Sequence, residues 1–273
     1  MSKITRITTQ KKMHQRYNIF LTDDNKGERY GFSVDESVLI HFQLRKGMEI
    51  SDSMMDAIKR SDSMYQSYTL AIRYLSFRMR TKKEIEDYLT KKEVDQAHIV
   101  SVMDKLVEEQ LLNDHQFADM FVRSRINTST KGPAIIKQEL LKKGVEENIA
   151  DNALKQFSYA IQYDKVKKLV EKKQQQKKTE SYKKRLQKMQ TFLQQKGYDK
   201  SVVQTVVQEL PSSIDRNAEW DAIIHHGEKL KKKHAMKRTG FELRQKITEG
   251  LYRKGFSFEL IQQYLERHVD DKE

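Results

Sequence analysis

The chain has 273 residues, 37% hydrophobic and 33% charged, with 52 Lys/Arg against 39 Asp/Glu and a formal net charge of +13. It contains no cysteine, which excludes disulfides and thiolate metal sites and permits a cytoplasmic location. No apolar run reaches the length of a membrane span, and MSKITRITTQKK carries no apolar signal core, so a chain without membrane association or export is expected.

In chain order, ITRITTQ (4–10), RYNIFL (16–21) and RYGFSV (29–34) are rich in β-branched and aromatic residues and read as strands. TDDNKGE between the last two reads as a hairpin loop carrying Gly27. Counted from Asp23, Gly27 is fifth and Val34 twelfth, so the loop lacks the sixth-position Gly and closing Glu of a calcium site. Asp35 is placed to cap a helix, ESVLIHFQL, ending at Lys46-Gly47. SDSMMDAIKRSDS (51–63) reads as a second capped helix.

A block then recurs four times: YLTKKEVDQAHIVSVM (88–103), ELLKKGVEENIADNAL (139–154), FLQQKGYDKSVVQTVV (192–207) and GLYRKGFSFELIQQYL (250–265). Each copy sets a Leu five residues before an apolar residue that opens a new helix: Leu89 and Val94, Leu140 and Val145, Leu193 and Tyr198, Leu251 and Phe256. Four residues before each Leu stand Ile85, Ile136, Met189 and Ile247, the next turn of the same face. Past the turn, the helical spacing continues through Ile99, Val102 and Met103, through Ala150, Ala153 and Leu154, through Val203, Val206 and Val207, and through Ile261, Tyr264 and Leu265.

A further helix precedes these two. Ala71, Tyr74, Leu75 and Arg78 match Ala118, Phe121, Val122 and Arg125, with a weaker Val166, Leu169, Val170 and Lys173 in the third copy and a helix around Ala222 in the fourth. The copies are 51, 53 and 58 residues apart, and loops absorb such drift cheaply. Pro133 suits the first turn of a helix and Pro211 follows the end of one. The predicted fold is mainly α: an elongated array of tandem three-helix, helix-turn-helix-like repeats behind a small N-terminal β-hairpin and helix segment. The expected divisions are residues 1–66, then repeats over 67–112, 113–160, 161–211 and 212–273. Glu93 stands where the other copies have Gly, which predicts a tighter or differently capped turn in the first copy.

The charge is uneven. Residues 1–160 hold 26 Lys/Arg against 23 Asp/Glu, whereas 161–273 hold 26 against 16, concentrated at 165–188 and 229–238. Such stripes fit a polyanion, with a solvated helix face as the other reading. Catalytic constellations are absent: there is no phosphate-cradling Gly-rich motif, no H-E-x-x-H and no G-x-S-x-G, and His225-His226 lacks a third ligand at helical spacing. No enzyme, metal or cofactor is expected.

The segments AIRYLSFRMRTKKEIEDYL (71–89), LLNDHQFADMFVRSR (111–125) and KGPAIIKQELLKKGV (131–145) resemble the RecX family. Leu112, Asn113, Asp114, Phe117, Ala118, Arg125, Gly132, Glu139, Leu140, Lys143 and Gly144 fall where that family's pattern places them, closely over 68–160 and less closely beyond. The long four-repeat form resembles the versions found in low-GC Gram-positive bacteria. The resemblance implies a monomeric, non-enzymatic regulator that binds the RecA–DNA filament and modulates, mostly by inhibiting, RecA ATP hydrolysis and strand exchange in recombination, DNA repair and the SOS response.

Candidate contact residues for RecA or DNA are Arg73, Arg78, Arg80, Lys82 and Lys83 in the first repeat and Arg123, Arg125 and Lys131 in the second. Lys172, Lys173, Lys177, Lys178, Lys231, Lys232 and Lys233 are the candidates in the basic half. Arg78 and Arg125, each ending an apolar face, are equally placed to pair with a carboxylate of their own repeat. Asp114 reads as a helix cap, and Tyr74 and Phe121 as core. The other reading is a stand-alone DNA-binding protein of helix-turn-helix-like units. The neutral to acidic DQAHIVSVMDKL and EENIADNAL disfavour groove insertion by the first two repeats.

Overall fold

A computed structural model describes residues 2–11, 15–23, 26–174, 180–210 and 216–269. They form two compact units, Met1–Ala118 with Leu140–Ile149, and Asp119–Glu139 with Ala150–Glu273.

In the first unit, β1 (Ser2–Thr9), β2 (Arg16–Asp23), β3 (Lys26–Asp35) and β4 (Glu49–Ile50) pair antiparallel in the order β3-β2-β1-β4. Alternation along the strands turns Ile4, Ile19, Leu21, Phe32 and Val34 to one face, where Val38 of α1 (Glu36–His41) and Ile58 of α2 (Asp52–Leu75) complete the core. Gly27 lies inside β3, and Asp23 pairs with Lys26, so the strands run into the expected loop; residues 24 and 25 lie outside the described residues.

Helix α1 stops at His41, short of the expected Lys46-Gly47. Gln43 takes φ +49°, and the Leu44 amide donates to the Leu39 carbonyl at 3.0 Å. The early stop lets residues 47–50 run beside β1, where Gly47 N–H reaches the Ile4 carbonyl at 2.8 Å. The second expected helix does not end at 63 but continues to Leu75. Its Ser51 cap accepts from Met54 N–H as expected. The polar cluster that resembled a terminus instead fastens the helix to the sheet. Buried Asp62 accepts from the Asp35 amide at 2.8 Å, from Arg16 Nη2 at 2.8 Å and from Gln66 Nε2 at 2.7 Å.

Past the sheet, α2, α3 (Lys82–Lys91) and α4 (Gln96–Glu108) enclose a core of Ala71, Ile85, Leu89, Ile99, Val102 and Leu106. Helices α5 (Asp114–Thr128), α6 (Pro133–Lys142) and α7 (Glu147–Leu154) contribute residues to both units. The second unit continues with α8 (Tyr159–Gln174), α9 (Tyr182–Gln195) and α10 (Lys200–Gln208), then α11 (Arg216–His234), α12 (Gly240–Arg253) and α13 (Phe258–His268). Ala222, Ile247, Leu251, Phe256, Ile261 and Tyr264 form its last core. The described residues therefore carry a mainly helical fold with a small N-terminal sheet. Pro211 and the segment 175–179 lie outside them.

The five-residue spacing of the repeated block has a backbone cause. In each copy the amide of the later apolar residue donates to the carbonyl of the Leu, from Val94 to Leu89 at 3.2 Å, Val145 to Leu140 at 3.1 Å, Tyr198 to Leu193 at 3.3 Å and Phe256 to Leu251 at 3.4 Å. This is the Schellman closure of a helix, which needs a left-handed residue just before the donor and brings the two apolar side chains together. Glu93, Gly144, Gly197 and Gly255 occupy that position with φ of +58°, +81°, +84° and +87°. The first copy thus makes the same turn as the others, not a tighter one.

Candidate functional site

The turn of one copy docks on the second helix of the copy before it. Within the first unit, Thr81 Oγ1 at the head of α3 donates to the Lys143 carbonyl at 2.6 Å, and Lys82 N–H donates to Asp114 Oδ1 at 3.0 Å. Within the second unit, Gly132 N–H, just before α6, donates to the Lys196 carbonyl at 2.7 Å. Ser181 Oγ, heading α9, donates to the Lys254 carbonyl at 2.6 Å, and Tyr182 N–H to Glu219 Oε2 at 2.7 Å. Head-to-tail contact of helix dipoles favours each junction. It also decides chemistry: the heads of α3, α6 and α9 are filled by the chain's own oxygens and do not offer amides to a phosphate.

Asp114 is thus a cap, but of α3; its own helix is capped by Asn113 Oδ1, which accepts from Gln116 N–H at 3.0 Å. Burial pushes the carboxyls of Asp114 and Glu219 up against the donated amides.

Several candidate cations are engaged inside the fold. Arg78 Nη2 meets Glu84 Oε1 at 2.9 Å, where Lys143 Nζ also arrives at 2.8 Å. Burial alone would raise Glu84, yet hydrogen bonds from Arg78, Lys143 and Thr81 N–H prevail and hold its carboxyl at about 2. Arg125 Nε reaches Glu139 Oε2 at 2.8 Å, and Lys131 bonds the other oxygen of the same carboxylate. Arg80 lies 4.0 Å over the ring of Tyr74, which stacks on Tyr88 at 4.0 Å. Lys173 sits 3.7 Å over Phe192, and Lys231 donates to the His268 carbonyl. Tyr74 and Phe121, expected in the core, are half-buried: Tyr74 packs against the core of the first repeat and carries Arg80, and Phe121 carries Arg125.

The remaining candidates face solvent. Arg73, Lys82, Lys83, Arg123, Lys172, Lys232 and Lys233 are exposed and have no ion pair among the described residues. Lys177 and Lys178 lie outside the described residues. No group of His, Asp or Glu among the described residues is arranged to hold a metal ion, and no described helix is long and apolar enough to cross a membrane. Sequence reasoning missed one class of surface residue, the apolar side chains in basic turns. Phe77 and Met79 precede α3, while Met236 and Phe241 flank the start of α12, all in solvent. Their signal was an apolar residue out of phase with the helical stripe.

Family models match nearly the whole chain: the regulatory protein RecX N-terminal domain at 2–51, the first RecX three-helix domain at 68–106 and the second at 113–154. The third three-helix domain matches twice, at 160–207 and 217–265. Regulatory protein RecX of Oceanobacillus iheyensis is 48% identical over 272 residues, 100% of both chains, and that of Halalkalibacterium halodurans is 42% identical over 97% of this chain and 99% of its own. A crystal structure of regulatory protein RecX superposes with a TM-score of 0.68 at 38% identity, covering 77% of this chain and 100% of that one. The structure of RecX from Lactobacillus salivarius gives 0.53 at 36% identity over 55% of this chain and 97% of its own. A repeat that closes every copy with one turn and seats the later three turns on the copy before, together with similarity running the length of the chain, makes this protein a member of the RecX family of regulatory proteins.

Proposed function

We propose that this regulator is a cytoplasmic, monomeric, non-enzymatic modulator of the RecA recombinase. It binds the RecA–DNA filament and lowers its ATP hydrolysis and strand exchange. The observation that carries this reading is family similarity over all four repeats together with the N-terminal segment, rather than over one repeat. The four repeats, 67–112, 113–160, 161–211 and 212–273 behind the segment 1–66, divide the work. The first two, nearly balanced in charge, recognise the protein; the last two, holding most of the positive excess, approach the DNA without reading its sequence. The exposed cations Arg73, Lys82, Lys83 and Arg123 make the protein contacts, and Lys172, Lys232 and Lys233 lie near phosphate. Arg78, Arg125 and Lys131 act by ordering Glu84 and Glu139.

Binding to RecA filaments and to bare single-stranded DNA across a salt series tests this. Filament binding should survive salt that abolishes binding to bare DNA. Equal loss of both with salt would leave only a non-specific DNA binder.

A further inference from the structure

Four large apolar side chains are exposed near the junction of the first and second helices in two copies, and one of each pair, Met79 and Phe241, stands ten residues before the repeated Leu. In the first copy, Phe77 is 78% and Met79 37% exposed in the turn joining α2 to α3. In the fourth, Met236 is 92% and Phe241 81% exposed where α11 gives way to α12. None belongs to the hydrophobic clusters beside them. Stability does not ask for them, since the same turn of the second copy runs Ser129-Thr130-Lys131-Gly132 with no large apolar residue. Exposed cations lie within a few residues of each pair in the chain, Arg73, Lys82 and Lys83 in one copy and Lys232, Lys233 and Lys237 in the other.

We propose that these two turns are one docking element used twice: each inserts its apolar pair into an apolar pocket with an acidic rim on a protein built of identical repeating subunits. The inference rests on the filament reading above, in that the repeating partner is RecA. Exposed aromatic and methionine side chains ringed by charge have the make-up of binding hot spots, and equivalent elements on one chain gain avidity only from a partner that repeats. Nucleic acid fits the turns less well. Arg78 is committed to Glu84 at 2.9 Å and Arg80 to the Tyr74 ring at 4.0 Å. The head of α3 is filled by Asp114, and methionine has no flat ring on which a base can stack.

The test compares the affinity of the full chain and its variants for RecA filaments on single-stranded DNA. Phe77→Ser with Met79→Ser, and separately Met236→Ser with Phe241→Ser, should each weaken binding about tenfold, and all four together by about a hundredfold or more. Thermal midpoints should change little, because none of the four belongs to a hydrophobic cluster. Ile40→Ser, removing an exposed apolar residue of α1, should bind as the parent does. A parent that binds and a fourfold variant that binds equally well would overturn this inference alone. An equal loss of affinity for bare single-stranded DNA without RecA would overturn it in favour of base stacking. A parent that does not bind filaments would overturn the filament reading as well.

Discussion

Glu84 gathers Arg78, Lys143 and the Thr81 amide onto one carboxylate. Its folded value of about 2 lies below that of an unfolded glutamate, so its contribution is fully present above about pH 4.3 and fades as pH falls toward 2. Glu84→Gln should therefore cost about 2 kcal/mol at pH 7, and the gap to the parent should close by pH 2 in urea titrations. Glu93 tells the complementary story. It holds the same left-handed turn as three glycines but is exposed, whereas a Cβ on Gly144 would stand 2.4 Å from Lys83 Cβ and one on Gly197 2.8 Å from Ile135 N. The glycines are needed because the preceding copy presses on them; the first copy's turn has no such neighbour. Glu93→Gly should stabilise by about 1 kcal/mol and Gly197→Ala destabilise by about 2 kcal/mol, read from denaturant midpoints. The glycine-to-glutamate change was legible in the sequence as a departure. Its meaning was not, because neighbour contacts across 50 residues leave no local pattern.

At the scale of elements, the centre of each apolar stripe was legible: Leu89, Leu140, Leu193 and Leu251 are all completely buried, as helical spacing demands, while residues such as Tyr74 and Phe121 toward the stripe's edge are half-buried. What misled was polar residues. Asp35 capped a helix as its position implied, but Asp62, flanked by serines, looked like a terminus while serving as the buried acceptor that ties α2 to the sheet. A sequence cannot separate these uses of an aspartate, since both need only a short acceptor near backbone amides. Asp62→Ala should leave Arg16 without its buried partner and cost about 3 kcal/mol, lowering the thermal midpoint markedly. Likewise, the sequence listed the cations of the candidate surface but not which were already paired. Arg78 and Arg125 carried a visible hint, their place at the end of an apolar face; Lys131 and Lys231 carried none.

Across the whole molecule, charge is divided unevenly among copies of one turn-closed repeat. Cutting the chain at residue 160 would split a compact unit, so neutralising exposed lysines is the cleaner probe. Replacing Lys172, Lys232 and Lys233 by Gln should reduce the slope of log affinity against log salt on bare single-stranded DNA by about 2, with filament affinity changed far less. RecA's single-strand-dependent ATP hydrolysis, followed at a salt concentration where the chain scarcely binds DNA, shows whether the chain restrains RecA. Added below the concentration of RecA, the parent chain should lower the hydrolysis rate; an unchanged rate, with the chain bound to duplex DNA in a sequence-selective manner, would make it a stand-alone DNA-binding protein instead.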